Sequence, residues 1–404
     1  MSDPPAPRPA ALVFIFITVV LDMLALGLIV PVLPKLVVEF MAGDTAGAAR
    51  IYGIFGTAWA LMQLVFSPLL GALSDRFGRR PVILISLFGL GLDYVLMALA
   101  PNLAWLFVGR VISGITAATF ATAGAYVADV TPPERRAAGY GLLGAAFGLG
   151  FVLGPALGGL LGSIGPRLPF WAAAGLTLAN AAYGLLILPE SLPRERRSRF
   201  EWRRANPIGS LRLLGSHPQL LGLAAVGFLF SVAHDVQPSS FVLYTTYRYE
   251  WDARTIGMTL AAVGLCGAIV SGGLVASVVK HLGERATLLV GLGFGAAGFL
   301  TYGLAPTGAI FWLGVPLVSL WGLSGPAMQG LMTRHVAPSE QGQLQGARSS
   351  LMGIAGLLAP TLFTQTFAAF ISSQRDLHLP GAPFLLAATL LLLGLLVAWR
   401  VTRG

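Results

Sequence analysis

The sequence predicts an all-α integral membrane protein of twelve transmembrane helices, arranged as two pseudo-symmetric six-helix bundles. Three observations predict it. Hydrophobic residues fill 55% of the 404 positions and charged residues only 11%, too few charges to coat a soluble surface. The apolar residues gather in runs long enough to cross a bilayer, rather than in the ten-residue alternations of a barrel. The charge that remains, net +9, falls in short links between the runs. A nucleic-acid-binding protein would gather it on one face or tail.

Taken in order, the spans lie near 10–38, 47–73, 81–100, 103–129, 137–163, 168–189, 217–246, 254–280, 285–305, 309–335, 341–370 and 381–400. The first follows a short polar tail, "MSDPPAPRPA", and runs to Pro34. It is too long for a signal-peptide core, and no small-residue cleavage site follows, so it is a span. The second ends in "FSPLLGALSDRFGRRPVILIS", where Asp75, Arg76, Arg79 and Arg80 crowd into a link to the third. The third and fourth carry Asp93 and Arg110, and the fifth is the glycine-rich "GAAFGLGFVLGPALGGLLG". After the sixth comes the one long polar stretch, 190–216, a cytoplasmic linker that divides a first bundle, 1–189, from a second, 217–404. In the seventh span, "FSVAHDVQPSS" brings in His234, Asp235 and Gln237, with Pro238 placed to break the helix. The eighth holds Cys266. A single cysteine excludes an internal disulfide and a thiolate metal cluster, and here it suits a small buried side chain.

Orientation follows from Lys and Arg. With the N-terminus inside, the inner links and tails hold 18 of the 26 and the outer links six, leaving Arg110 and Arg348 within spans. Both termini and the linker are therefore expected in the cytoplasm. The halves also repeat. "RFGRRPVILI" from Arg76 aligns with "HLGERATLLV" from His281 at an offset of 205 residues, and at that offset Pro155 meets Pro360. Parallel six-helix repeats mark transporters that move one half against the other.

The link "GALSDRFGRRP" needs its arginines to hold it inside. A mere topology anchor would need neither Asp75 nor the glycine spacing. The segment closely resembles the signature loop of the major facilitator superfamily. "LDMLALGLIVPVLPKL", "LFVGRVISGITAATFATAGAYVADVTPPERR" and the span-five motif resemble its drug/proton antiporter branch, in particular the tetracycline/proton antiporters; "GPAMQGLMTRHVAPSEQGQLQGARSS" continues the likeness. The resemblance implies a conformational latch of Asp75, Arg76, Gly78, Arg79 and Arg80, with Asp75 meeting the start of span eleven and Arg79 approaching Asp129. It implies an antiporter motif of Gly148, Gly150, Gly154, Pro155, Gly158 and Gly159. From the residues alone, that motif equally fits close helix packing.

Asp22, Asp93 and Arg110 lie near mid-depth by helix rise. An uncompensated charge there costs at least ~2.5–3.5 kcal/mol, so all three should face a polar cavity or one another. Asp22 is the expected proton carrier, with Arg110 competing for its carboxylate; the bland alternative is a static ion pair. Asp93 and Gln63 match polar positions of the tetracycline group and are expected on the cavity wall. Gln329 and Gln345 match further family positions, and Trp321 suits flat apolar compounds. Arg348 is extra relative to the family and would pair with a cavity acid or attract an anionic substrate. The family's usual histidine in span eight and aspartate in span nine align with Gly267 and Gly295, which cannot titrate. His234 and Asp235 offer a replacement proton or substrate site, the alternative being a hydrated structural role at the outer mouth.

The function expected is proton-driven export of an amphipathic small molecule, possible substrates being tetracycline or another drug, across a bacterial inner membrane by a monomer. The proton gradient is the energy source: no phosphate-binding loop, metal-ligand spacing or nucleophile–base arrangement stands out, so neither cofactor nor metal nor enzyme activity is expected. A transporter of an anionic metabolite or siderophore is the nearest rival. A non-transporting membrane receptor or scaffold is the rival of another class.

Overall fold

The computed structural model describes residues 9–117, 119–132, 135–197, 213–214, 218–337, 340–372 and 378–403. Arg8, Arg375 and most of the 190–216 linker lie outside the described residues. Within them the chain forms helices and turns, with no strand.

The helices are α1 (Pro9–Ile29), α2 (Leu33–Phe40), α3 (Thr45–Phe77), α4 (Arg79–Leu99), α5 (Leu103–Thr116), α6 (Thr119–Val130), α7 (Arg136–Ile164) and α8 (Leu168–Ile187). After the linker come α9 (Pro218–His234), α10 (Val236–Tyr249), α11 (Ala253–Ile269), α12 (Val275–Leu304), α13 (Gly308–Leu320), α14 (Ser324–Thr333), α15 (Gln341–Ile371) and α16 (Ala382–Val401). Ten segments among the described residues are long and apolar enough to cross a membrane. One of them, Ala253–Leu304, spans 52 residues and holds two spans hinged at Gly283, whose φ of 76° interrupts the helix. A further span consists of the short apolar α5 followed by α6. The twelve expected spans are thus present.

Several spans are broken, each for a local reason. Pro31 follows α1 and Pro34 sits in the first turn of α2, where a missing N–H goes unnoticed. In the seventh span the break falls at Asp235, three residues before Pro238. Pro238 lies in the first turn of α10, where proline is tolerated; its ring excludes only the regular helix that would have passed through His234. Between α11 and α12, Val270–Leu274 forms a π-helical turn around Gly272 and Gly273. Cys266, one turn before it, is half-buried rather than fully enclosed. Between α13 and α14, Trp321–Leu323 forms a 3-10 turn. The two irregular turns face each other: a Cβ on Gly322 would lie 3.6 Å from Val270 and 3.8 Å from the Ser271 hydroxyl.

The chain groups into two compact units, Met1–Leu33 with Leu61–Asn206, and Pro34–Ala60 with Pro207–Gly404, so α3 contributes to both. In the first unit α1 packs against α7 and α8, and α4 against α8 and α5. Ile15, Val19, Ile83, Leu87, Tyr126 and Leu143 belong to its buried core. The α1–α7 crossing is backbone to backbone. A Cβ on Gly154 would lie 2.6 Å from the Gly27 Cα, one on Gly158 would overlap the Leu28 carbonyl, and one on Gly150 would meet Met23. Residues four apart share a helix face, so this small-residue stripe permits the contact.

In the second unit α12 packs against α13 and α16, α16 against α9, and both α9 and α10 against α15. Tyr244, Tyr302, Phe311 and Phe384 are fully buried together; Tyr302 and Phe311 stack with centroids 3.9 Å apart. The early part of α3 lies on α15, where the Thr57 hydroxyl donates to the Leu357 carbonyl at 3.1 Å. In the turn after α10 Asp252 caps α11, accepting from the Thr255 N–H at 2.8 Å. Hydrogen bonds from Thr255, side chain first, hold the Asp252 carboxyl below the usual carboxylate range.

The expected internal repeat recurs in backbone geometry. Gly78 and Gly283, 205 residues apart, both adopt positive φ, 108° and 76°. Two residues later in each repeat, Arg80 donates to the Leu185 carbonyl on α8, and Arg285 donates to the Thr402 hydroxyl after α16. Each arginine thus ties its unit's third span to its sixth.

Candidate functional site

The mid-depth charges of the first unit sit on three helices. Asp22 on α1 is 4% exposed and Asp93 on α4 is 1% exposed. The α7 stripe presses on Met23, the residue after Asp22, which fixes the turn that carries the acid. One turn earlier, the Asn180 amide of α8 donates to the Thr18 carbonyl at 2.9 Å, holding α1 from the other side. Asp93 packs onto α5: a Cβ on Gly109 would lie 2.8 Å from its Oδ1. That contact is next to Arg110, which is half-buried and interacts electrostatically with Asp93.

Tyr94 completes the group. It is fully buried, and its hydroxyl interacts electrostatically with Asp22, Asp93 and Arg110. Sequence pattern does not single it out, because an aromatic in a membrane helix is ordinarily packing; its one signal is its place directly after Asp93. Oδ1 of Asp22, both oxygens of Asp93 and the Tyr94 hydroxyl are buried and have no hydrogen-bond partner among the described residues. Buried polar atoms are normally paired. Four in one neighbourhood form an unsatisfied polar centre among the described residues. Gln63, on α3, is half-buried.

The charged turn after α3 is a dense network. Gly78 enters α4 at φ 108°, and a Cβ there would collide with the Glu190 carboxylate. Arg79 lies 2.5 Å from Asp75 and 3.0 Å from Asp129, and donates to the Ser74 hydroxyl at 2.7 Å. Its backbone N–H donates to Glu190 at 2.9 Å, and the same Glu190 oxygen accepts from the N–H groups of Ser191 and Leu192. Ser191 donates to Asp129 at 3.0 Å. The guanidinium therefore joins α3, α4 and the end of α6, while Arg76 lies over the Phe77 ring at 5.0 Å. Nothing in the sequence marks Glu190, Ser74 or Ser191 as members of this network; Glu190 looks there like part of a polar linker. Of the span-five residues, Gly150, Gly154, Pro155 and Gly158 lie against α1, whereas Gly148 has open space around it and Gly159 is buried.

In the second unit, His234 is exposed at the end of α9, its ring 5.9 Å from the buried Trp321. Phe230, one turn earlier, lies 4.3 Å from the same indole. Asp235 is half-buried against α15, its Oδ2 3.9 Å from where a Gly356 Cβ would stand. The structure thus directs the two neighbours to different elements, His234 to Trp321 and Asp235 to α15. Gln329 is half-buried, with an Oε1 lacking a hydrogen-bond partner among the described residues, as does the Trp321 Nε1. Gln345 is exposed, and Arg348 is half-buried on α15. A Cβ on Gly267 would have nothing within 4 Å, whereas one on Gly295 would stand 2.7 Å from the Trp321 ring. The indole occupies the space an acid at 295 would need.

Comparison with known proteins agrees with this architecture. The Major Facilitator Superfamily profile matches residues 15–360. The tetracycline resistance protein, class C, of Escherichia coli is 38% identical over 370 residues, covering 91% of this chain and 92% of that protein. The class D protein of Salmonella ordonez is 36% identical over 391 residues, covering 97% and 96%. Among solved structures, the human organic anion transporter MFSD10 superposes with a TM-score of 0.71 at 25% identity, covering 98% of this chain and all of that one. The chain belongs to the major facilitator superfamily.

Proposed function

We propose that this member of the superfamily is a proton-coupled exporter of an amphipathic small molecule, a drug of the tetracycline kind being the leading candidate. It works by alternating access in a bacterial inner membrane, with both termini cytoplasmic. The observation that carries the reading is the first unit's buried group beside one arginine: Oδ1 of Asp22, both oxygens of Asp93 and the Tyr94 phenol have no hydrogen-bond partner among the described residues. A fixed structural ion pair would have its lone pairs satisfied; a proton carrier must tolerate both states.

In this reading Asp22 and Asp93 exchange the proton, and Arg110 balances whichever charge Asp93 carries. Tyr94, whose hydroxyl interacts electrostatically with both acids, is a positioning group for them. Protonation removes the charge that holds Arg110 and lowers the barrier to reorienting the helices. No step of this needs a cofactor. At about 2.3 kcal/mol per charge per 100 mV, one proton crossing ~150 mV supplies about 3.5 kcal/mol, a concentration ratio of a few hundredfold. Sequence similarity to tetracycline resistance proteins supports the substrate class. The glycines at 267 and 295 argue that any metal–tetracycline chelate would be held differently, since neither can ligate or titrate.

The test is fluorescence quenching in everted vesicles with a panel of drugs, including tetracycline with and without a divalent cation. Substrate-driven proton movement is expected in the wild type and absent in Asp22→Asn and Asp93→Asn. Undiminished proton movement in both variants would overturn the assignment.

A further inference from the structure

The second unit holds a cavity of about 130 Å³ between α9, α14 and α15. Its walls are apolar and polarisable, among them Phe230, Met328 and Met352, with the Ser231 hydroxyl as a small polar element. Among the described residues one charge lines it: Arg348. The Ser231 hydroxyl already donates to the Gly227 carbonyl at 2.9 Å within its own helix.

No carboxylate among the described residues answers Arg348. Glu284 is engaged by Arg334 at 3.0 Å. Asp235 meets α15 at Gly356, eight residues and about 12 Å along the helix from Arg348. A guanidinium lining an apolar pocket without its own counter-ion is expensive to bury and is relieved by an anion that brings an apolar body with it. The size is informative: a cavity of ~150 Å³ accepts a benzene ring, so this slightly smaller and partly open one takes the acidic end of a single ring, with the rest of the molecule outside. Phe230 bridges the pocket to Trp321 and so to His234, giving the outlying part a continuous aromatic surface.

From this cavity and its lone cation we infer that the Arg348 pocket is an anion-recognising subsite, taking the carboxylate or acidic enol of an amphipathic ring compound. The inference rests on the exporter reading for its physiological meaning, but the binding site itself does not. Flexible thioethers suit such a pocket, because Met328 and Met352 can repack around rings of different outline.

Salicylate and its neutral isostere salicylamide test it, with binding to the full-length protein in lipid nanodiscs measured by ligand-observed NMR against empty nanodiscs. Wild type is expected to bind salicylate at least about tenfold more tightly, the range of a charge-assisted hydrogen bond. Arg348→Gln should erase the preference and Arg348→Lys should keep part of it. Gly227→Val should weaken salicylate binding by filling the pocket, since a Cβ there already lies 3.4 Å from the Met328 methyl. A wild type without preference, or a preference that survives in Arg348→Gln, would overturn the site. If Arg348→Gln does not fold, Gly227→Val decides: lost salicylate binding upholds the pocket and unchanged binding removes it. An Arg348-dependent preference in a protein without proton-coupled transport would uphold the subsite and sink the exporter reading alone.

Discussion

Replacing Gly154 by alanine places a methyl 2.6 Å from the Cα of Gly27, where carbon atoms rest at about 3.5–4.0 Å. The obstacle is backbone, so no side chain can rotate away. The α1–α7 crossing must open by about 1 Å, and the Gly150 and Gly158 contacts on the same stripe loosen with it. Overpacking of this kind costs about 1–3 kcal/mol. At ~2–4 °C per kcal/mol for a unit of this size, the melting midpoint should fall by about 2–12 °C. The same helix supplies its own control. Nothing lies within 4 Å of a Cβ on Gly148, so Gly148→Ala should be neutral or stabilising by up to ~1 kcal/mol through helix propensity. Thermal melting of the purified proteins, followed by size-exclusion fluorescence, reads both. Because the same stripe presses through Gly150 on Met23, the residue after Asp22, Gly154→Ala should also slow proton-coupled transport. Equal melting behaviour of the two variants would refute the claim that the stripe works by backbone contact.

Three further outcomes follow from the geometry. Gly78→Ala combines a φ of 108° with a collision at Glu190 and should lower stability by about 1–3 kcal/mol; Gly71→Ala, with nothing within 4 Å, should melt like wild type. Tyr94→Phe removes one oxygen from a fully buried side chain and should move the pH midpoint of proton-coupled transport at nearly unchanged melting temperature; an unmoved pH profile would remove Tyr94 from the proton path. Asp252 has a carboxyl held below its unfolded range, so its charge stabilises the fold above about pH 4 and that contribution is lost as pH falls through the folded value. Asp252→Asn should therefore melt slightly below wild type at pH 7, and the difference should narrow as pH falls through the folded value.

The spans were legible because each is a long apolar run, and their breaks were only partly so. Pro238 marks the right neighbourhood, but proline disrupts the residues before it, which moves the break to Asp235. The π turn at Val270–Leu274 has no signal beyond two adjacent glycines. In the site, hydropathy and helix rise place Asp22, Asp93 and Arg110 at similar depth, yet depth says nothing about azimuth. Which acid faces Arg110 depends on how α4 and α5 are rotated; the contact at Gly109 puts Asp93 against α5, and Arg110 acts on it electrostatically. The filling of the Gly295 position by Trp321 was invisible for the same reason, since it joins residues on separate helices. Glu190 was hidden differently: its three backbone hydrogen bonds come from a turn that no periodicity announces.

The glycine pair at 272 and 273 has a rotational consequence. A π turn carries one surplus residue relative to an α-helix, and each residue of an α-helix turns the chain by about 100°. Excising one of the two glycines would join α11 to the part of α12 before the Gly283 hinge as one regular helix and swing the whole face of α11, Cys266 and Gly267 included, by roughly that angle. Register along the eighth span is therefore set by a single extra peptide unit, held in place against the loosened turn at Gly322.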